Sequence, residues 1–319
     1  MLTVFWKELA DNFSSRRFII LFLLILLAGV FAIFTAATNI KEAVAQTTSS
    51  SFAAPGGIRF VFLKLFTISE EPLPSFLTFI VFFVPIVGIA LGFDAINNEK
   101  NTGTLSRLIS QPIFRDAVIN GKFMAGVVTI SIMLITIVLL VTGVGLMQIG
   151  VPPTSEEVIR LLVFLIVSIL YGAFWLGLAM LFSIFFRQVA TSALASIAIW
   201  IFFIFFIIII AQAIANMVAP ITEQSTLDAQ IRNAEINMVV RRFSPIILFQ
   251  EAISTLLSPG IQTLGFITET TEQWMMPTAL SLSQSLLIVW PHLVTLVALT
   301  AVCFAISYTR FMREEIRST

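Results

Sequence analysis

Long apolar segments alternate with short polar ones along almost the whole chain. Six of the apolar segments approach or exceed the roughly 20 residues that a helix needs to cross the hydrocarbon core of a bilayer. None of the six contains Asp, Glu, Lys or Arg, which agrees with the high cost of a charge inside a membrane. The pattern predicts an all-α polytopic membrane protein, with one transmembrane domain of six transmembrane helices. The predicted spans cover residues 18–37, 76–93, 123–147, 161–186, 189–218 and 280–308.

A more polar segment, residues 1–17, precedes the first span. If it is helical, its apolar side chains share one face, namely Phe5, Trp6, Leu9 and Phe13. Its polar side chains then share the opposite face, namely Lys7, Glu8, Asp11 and Asn12. We therefore predict an amphipathic helix that lies in the membrane interface with its polar face toward water.

Two connections between the predicted spans are long. Residues 38–75 are rich in Ser and Thr and are broken by Pro and Gly, which predicts irregular structure with one short apolar piece near residues 60–66. Residues 219–277 contain a mixed-charge part of helical composition, followed by an apolar part that begins with a proline at residue 245. Since proline is favoured at a helix start, we predict two helices that cap the outer face of the bundle.

Composition and charge support the membrane assignment and predict its orientation. Charged residues make up 11% of the chain and hydrophobic residues 58%, whereas soluble domains have about 25% charged residues. The formal net charge is +0, so nothing indicates a nucleic-acid partner. The 18 Lys and Arg residues divide 11 to 7 between the two sets of connections, and the larger group lies in the shorter set. The positive-inside rule therefore predicts that both termini are cytoplasmic, in a multi-pass protein of the plasma membrane.

The side chains needed for most enzymatic or metal chemistry are scarce. Cys303 is the single cysteine and His292 the single histidine, so an internal disulfide is excluded and a zinc site or a Cys/His pair is disfavoured. The serines within the spans have no neighbouring base that would activate them. We predict no cofactor and no metal site in this chain, and a membrane-embedded enzyme is the weakest of three hypotheses.

The connection between the second and third spans, residues 94–122, carries the most distinctive pattern. Gly103 can end the helix that leaves the membrane, and Leu105, Leu108 and Ile109 then form an i, i+3, i+4 apolar stripe on a short helix. That helix stops before Pro112. The stripe either binds another protein or folds back onto the bundle, and the pattern alone does not separate these alternatives.

This loop resembles the signature loop of type 2 ABC exporter permeases. The shared order is Glu-x-x-x-Gly-Thr-Leu-x-x-Leu-x-x-x-Pro-x-x-Arg, followed by Gly-Lys at the start of a span. The residues that match are Glu99, Gly103, Thr104, Leu105, Leu108, Pro112, Arg115, Gly121 and Lys122. The rest of the chain is similar too, with its amphipathic first helix, six spans and long outer loop. Two positions depart from the family pattern, because Ser106 replaces a frequent acidic residue and Phe114 a small hydroxyl residue.

The resemblance implies the membrane subunit of an ATP-driven exporter. It implies that the short helix binds a groove on a separate ABC ATPase subunit, present in two copies that hold ATP and Mg²⁺, and that two permease copies pair. The ATPase-coupling residues would be Glu99, Gly103, Thr104, Leu105, Leu108, Ile109, Pro112 and Arg115. The chain itself has no recognisable ATP site, since Gly121-Lys122 lacks the other residues of a Walker motif.

A secondary transporter or channel, independent of ATP, is the alternative. Such proteins usually need ionisable side chains inside the membrane, and only His292 lies within a predicted span. Next to Trp290 and Pro291, it is expected to be an isolated interfacial histidine with a hydrogen bond near a proline kink. Gln212 and Asn216 are predicted as polar spots in a pathway that suits an apolar or amphipathic cargo, and the cargo itself stays open.

Overall fold

The computed structural model describes residues 1–46, 60–68, 74–103, 114–221, 226–258 and 280–313. Within these ranges every regular element is helical, and six helices are long and apolar enough to cross a membrane. The predicted fold class is therefore confirmed. In chain order the elements are α1 (Leu2–Ser14), α2 (Arg16–Gln46), α3 (Val61–Thr67), α4 (Phe76–Gly92), α5 (Asn97–Asn101), α6 (Arg115–Ile149), α7 (Ser155–Phe185), α8 (Val189–Ile201), a π-helical turn (Phe202–Phe206), α9 (Ile207–Val218), α10 (Leu227–Arg241), α11 (Pro245–Leu257) and α12 (Leu282–Arg313).

The helices extend beyond the apolar segments that predicted them. The spans correspond to α2, α4, α6, α7, the continuous helix from α8 to α9, and α12. Helix α2 continues to Gln46, so residues 38–46 are helical and not irregular as predicted. Helix α6 begins at Arg115, eight residues before the predicted span. The short apolar piece expected near residues 60–66 forms α3.

Helix α7 lies at the centre of the bundle. It packs against α4, α6, α8, α11 and α12, and its Tyr171 and Trp175 are fully buried. Helix α4 approaches it closely, because a Cβ added to Gly88 would lie 2.9 Å from the carbonyl oxygen of Gly172. Small residues allow such backbone contact, which gives membrane helices much of their van der Waals packing.

Contacts between distant segments define two ends of the bundle. At one end, Arg17 pairs with Asp94 (Nη1–Oδ2 2.7 Å), and Arg310 near the end of α12 lies over the ring of Phe185 (5.7 Å to the centroid). We call this the terminal end, because α1 and the end of α12 lie there. At the other, the far end, Glu157 of α7 binds the start of α3.

Helices α10 and α11 form a hairpin that runs back along the fifth span. The side-chain amide of Asn233 donates to the carbonyl oxygen of Ala219 (2.7 Å) and to Asn216 (3.1 Å). One turn later, Asn237 donates to Gln212 (2.8 Å). The residue numbers rise from Asn233 to Asn237 along α10 while those of their partners fall from Asn216 to Gln212 along α9. Helix α10 is therefore antiparallel to α9. Gln212 and Asn216, predicted as polar spots of a pathway, hold this hairpin through their amide oxygens.

The tip of the hairpin lies beside the middle of the fifth span. The hydroxyl of Ser244 donates to the carbonyl oxygen of Phe203 (3.5 Å), and Phe203 is at the centre of the helix that runs from Val189 to Val218. This oxygen belongs to the π-helical turn, a feature often found at functional sites. The hairpin therefore reaches well inside the bundle.

Helix α11 returns through the core of the bundle. Ten of its 13 residues are buried, and the ring of Phe249 stacks on that of Tyr171 with centroids 4.0 Å apart. The prediction of two helices in the loop of residues 219–277 is confirmed. Their predicted position as caps on the outer face is wrong for α11, because its apolar side chains pack against α7 and α12.

Candidate functional site

The residues that the sequence singled out for ATPase coupling flank a part of the loop that the structure does not describe. Thr104, Leu105, Leu108, Ile109 and Pro112 lie outside the described residues. Glu99, Gly103 and Arg115 lie at the two edges of that part. Gly103 has a φ of +69° just after α5, a left-handed conformation that glycine adopts without strain. The candidate site is therefore the pair of segments that carry the loop, which we call the loop stem (residues 94–103 and 114–122).

The first half of the loop stem is fixed to the end of α7. The hydroxyl oxygen of Ser183 accepts hydrogen bonds from the backbone N–H groups of Ile96 (2.9 Å) and Asn97 (3.1 Å). The side-chain amide of Asn101 donates to the carbonyl oxygen of Arg187 (2.9 Å), in the connection between α7 and α8. A displacement of α5 would therefore also act on the junction of the fourth and fifth spans.

A cluster of four charges joins both halves of the loop stem to α1. The ammonium group of Lys122 lies 2.8 Å from Glu8 and 2.9 Å from Glu99. Lys7 lies 3.4 Å from Glu8 and 3.8 Å from Glu99. We call these residues, Lys7, Glu8, Glu99 and Lys122, the stem cluster. Two cations face two carboxylates, so the partly buried charges of these four residues compensate each other. Lys7 also lies 3.8 Å from the exposed carboxylate of Asp11 on the same helix.

The two lysines of the stem cluster differ in their exposure to solvent. The side chain of Lys122 is 5% exposed, whereas that of Lys7 is 52% exposed. Partial burial alone would lower the pKa of Lys7, but attraction by Glu8 and Glu99 outweighs it and raises this pKa. Lys7 thus stays charged at neutral pH, and Lys122 is the buried centre that holds the two glutamates.

Helix α1 does not present its whole polar face to water. The prediction placed Glu8 and Asn12 on a solvated face, but Glu8 pairs with Lys122 and Asn12 donates to the hydroxyl of Thr129 (3.2 Å). This part of the prediction is wrong, because helical periodicity cannot reveal polar partners on another helix. Gly121 makes the contact possible, since a Cβ there would lie 3.1 Å from Val4.

The geometry gives physical roles to residues that the sequence noted only as part of a motif. Gly121 lets α1 approach α6, and Lys122 neutralises Glu99 across the loop. Lys7 and Glu8 were missed as members of the site. The sequence pattern did not point to them, because Lys7 and Glu8 reach Glu99 and Lys122 only through the packing of α1 on α6.

The far end is held by a different kind of contact. Arg160 is fully buried and donates to the carbonyl oxygens of Leu256 (2.9 Å) and Leu280 (2.7 Å), to the hydroxyl of Ser285 (3.1 Å) and to Glu156 (2.9 Å). These bonds tie α7 to α11 and α12.

The neighbouring Glu157 accepts from the backbone N–H of Phe62 and Leu63, at the start of α3.

His292 is not the isolated interfacial residue that the sequence predicted. It is 5% exposed, and its Nε2 lies 2.8 Å from a carboxylate oxygen of Glu251 in α11. The same oxygen accepts from Nε of Arg242 (2.9 Å). The sequence could not show this pair, because 41 residues and the hairpin separate the two side chains. Among the described residues, no cluster of His, Cys, Asp and Glu could hold a metal ion.

Comparison with known families supports one assignment. A family model described as ABC-2 family transporter protein matches residues 2–316, nearly the whole chain. No curated protein matches the chain. The chain therefore belongs to the ABC-2 transporter family, as the loop residues and the six spans predicted, and it is a membrane permease of an ABC transporter.

Proposed function

We propose that this ABC-2 family permease is the membrane half of an ATP-driven exporter and that residues 94–122 couple it to a separate ATPase subunit. Membership of the family implies association with an ABC ATPase. The observation that carries the coupling proposal is the stem cluster. In it, Lys122 binds Glu99 on the other side of the loop and Glu8 on α1 at the same time.

The contacts of the loop stem suggest how ATPase closure is transmitted. A push on the loop would move α5, which is bonded to the end of α7 through Ser183 and Arg187. The same push would move α1 and the start of α6 through Lys122. The first, third, fourth and fifth spans would thus respond together, which is what a rigid-body change of access requires.

The proposal includes a second permease copy. Only 17% of the most apolar window of the fifth span and of the sixth span is buried, against 61% for α7. A single copy therefore leaves two spans at its periphery, where lipid or another copy would cover them. We propose a dimer of permeases with two ATPase copies, in which ATP and Mg²⁺ are bound by the ATPase.

The proposed orientation places the loop and both termini in the cytoplasm, at the plasma membrane. After Cys303→Ala, a cysteine introduced at Ser50 or Thr226 should react with an impermeant thiol reagent in intact cells. A cysteine at Asn101 or Ser318 should react only after the cells are opened. Labelling of Asn101 from outside would contradict the orientation and would remove the loop from its proposed partner.

The docking itself is tested with charge substitutions on the predicted apolar stripe. Burial of one leucine stabilises a contact by about 1.5–3 kcal/mol, and a buried unpaired charge is far more costly. Leu105→Arg or Leu108→Arg should therefore reduce co-purification of the ATPase at least about tenfold, while the permease still inserts and folds. Ser106→Arg, off the stripe, is the matched control. If Leu105→Arg instead destabilises the permease expressed alone, the stripe packs on its own bundle and the proposal fails.

One observation bears on the alternative of a gradient-driven transporter. The Glu251–His292 pair places a carboxylate and an imidazole together near the fifth and sixth spans, where sequence analysis expected no such pair. Burial raises the pKa of Glu251, but the hydrogen bonds from His292 and Arg242 outweigh it, so the pKa of Glu251 is lowered. A carboxylate that stays ionised is a poor proton carrier at neutral pH. Transport that stops when proton and sodium gradients are collapsed at constant ATP would nevertheless support this alternative.

A further inference from the structure

The hairpin tip carries more positive than negative charge at a place where charge is costly. Among the described residues, Arg241 and Arg242 stand beside one carboxylate, that of Glu251, which is already bonded to Arg242 and His292. Ser244, whose N–H donates to the carbonyl oxygen of Arg241 (2.9 Å), contacts the middle of the fifth span. A cation at such depth needs an anionic partner. Among the described residues, no acidic side chain pairs with Arg241.

Arg241 also leaves a buried donor without a partner. Its Nε is shielded from solvent and makes no hydrogen bond with the part of the chain that the structure describes. An unsatisfied buried donor destabilises a fold. The position of Arg241 in the last turn of α10 offsets only part of this cost through the helix dipole. The arginine is therefore better explained by a ligand than by the stability of the helix.

A cavity of about 260 Å³ lies between the two helices of the hairpin, and Arg241 lines it. Gln250 and Ser254 of α11 add an amide and a hydroxyl group, while Met238 and Ile247 add apolar surface. Glu251 completes the lining with a carboxylate that is bonded to Arg242 and His292. Pockets for drug-sized molecules usually have about 300–1,000 Å³. The cavity thus has the size of a headgroup and not of a whole amphiphile.

The surface beside Arg241 would suit the rest of such a molecule. Val239 and Phe243, two residues away on either side, are 58% and 73% exposed. They lie near the hairpin tip, and Phe205 and Phe206 of the fifth span are exposed as well. An acyl chain could lie along this apolar surface while its headgroup enters the cavity.

We propose that this cavity binds the acidic headgroup of an amphiphile, a carboxylate or phosphate that pairs with Arg241. The ligand is either an acidic lipid of the bilayer or a single-chain acid that the permease exports. Only the second role rests on the proposed export function, since binding itself needs no ATPase. The amide of Gln250 is placed to donate a hydrogen bond to a remaining oxygen, whereas the hydroxyl of Ser254 already donates to the carbonyl oxygen of Glu251 (3.0 Å). The carboxylate of Glu251 is engaged by Arg242 and His292, so Arg241 is the cation left to pair with the headgroup.

The test measures binding to the full-length permease in phosphatidylcholine nanodiscs. Labelled oleate is the probe, with phosphatidylglycerol and inorganic phosphate as competitors. Arg241→Gln should weaken oleate binding about tenfold, the loss expected for one charge-assisted hydrogen bond, and Arg241→Lys should restore part of it. Arg232→Gln, an exposed arginine on the same helix, should bind like the wild type. Competition by phosphatidylglycerol would identify a bilayer lipid as the occupant, whereas its absence would indicate a single-chain acid.

A second measurement separates binding from folding. Because Nε of Arg241 has no partner in the described part of the chain, Arg241→Gln should leave the unfolding temperature of the ligand-free permease unchanged or raise it. The rise that oleate causes in the wild type should be absent from this variant. Equal oleate binding in all variants, no binding at all, or equally good competition by inorganic phosphate would overturn the proposal. None of these results depends on the ATPase, so they leave the coupling proposal to its own test.

Discussion

The two ends of the bundle hold their charges in different ways. At the terminal end, the stem cluster joins side chain to side chain across α1, α5 and α6, with Glu8 and Glu99 still partly exposed. At the far end, Arg160 is fully buried and two of its partners are backbone carbonyl oxygens of other segments. Bonds between flexible side chains can exchange partners, whereas bonds to a fixed backbone cannot. Under the coupling proposal, the side-chain bonds of the stem cluster transmit movement, and the contacts of Arg160 resist it.

The largest loss of stability should follow a substitution at the far end. Arg160→Met leaves the carbonyl oxygens of Leu256 and Leu280 and the carboxylate of Glu156 without their donor. Loss of one partner from a buried charge network costs about 3–5 kcal/mol, so the purified permease should unfold at a clearly lower temperature. Arg232→Met on the exposed face of α10 should change stability by less than about 0.5 kcal/mol. Similar effects of the two substitutions would contradict the assigned role of Arg160.

A substitution in the stem cluster should destabilise the permease less than Arg160→Met does. A second substitution in the cluster should restore part of the lost stability. Lys122→Met leaves Glu8 and Glu99 facing each other, which should lower the free energy of unfolding by about 2 kcal/mol. Adding Glu99→Gln removes one of the two carboxylates and leaves Glu8 paired with Lys7, so the double variant should recover a large part of this loss. Chemical denaturation of the single and double variants measures the difference. If the double variant is the less stable of the two, the glutamates are not held by Lys122.

A steric change at the terminal end should have a smaller effect. Gly121→Leu would push against Val4, because even a Cβ there lies 3.1 Å from that side chain. Overpacking of this kind costs about 1 kcal/mol or somewhat more, and it should make α1 easier to cleave by added protease. Gly143→Leu is the control on the same helix, since no described atom lies within 4 Å of its Cβ position. Equal protection of α1 in both variants would show that α1 does not depend on the approach at Gly121.

The smallest expected effect is a change in the pH dependence of stability, caused by Glu251 of the hairpin. Because the pKa of Glu251 is lowered in the folded chain, its ionised form stabilises the fold above the usual carboxyl value of 4.5. That contribution is lost as the pH falls through the lowered pKa. Glu251→Gln should therefore reduce the fall in unfolding temperature between neutral and acidic pH. An unchanged pH profile would show that Glu251 does not contribute to acid sensitivity.

Much of the fold could be predicted from the sequence, because six charge-free apolar segments leave few alternatives. The hairpin could not. With 13 residues, α11 is too short to span a membrane, and it follows a charged helix that looks like an ordinary external loop. Its burial depends on stacking of Phe249 on Tyr171, a contact between segments 78 positions apart that periodicity does not reveal.

The candidate site shows the same limit. The motif identified Glu99 and Lys122 through the resemblance, but the helical pattern of α1 assigned Glu8 to water. Its true partner depends on how α1 packs on α6, which is set by the absence of a side chain at Gly121. His292 was expected to be isolated for a similar reason, because Glu251 reaches it only after the hairpin has folded.

Permease-stimulated ATP hydrolysis in liposomes tests the central claim most directly. The measurement compares the wild type with the double variant Glu99→Gln/Lys122→Met, each reconstituted with its ATPase subunit. If the stem cluster couples the loop to the spans, the ATPase should bind the double variant in normal amounts. Its stimulation should fall about tenfold, within the range of a coupling free energy of about 1–3 kcal/mol. Normal stimulation of a fully bound ATPase would contradict the account.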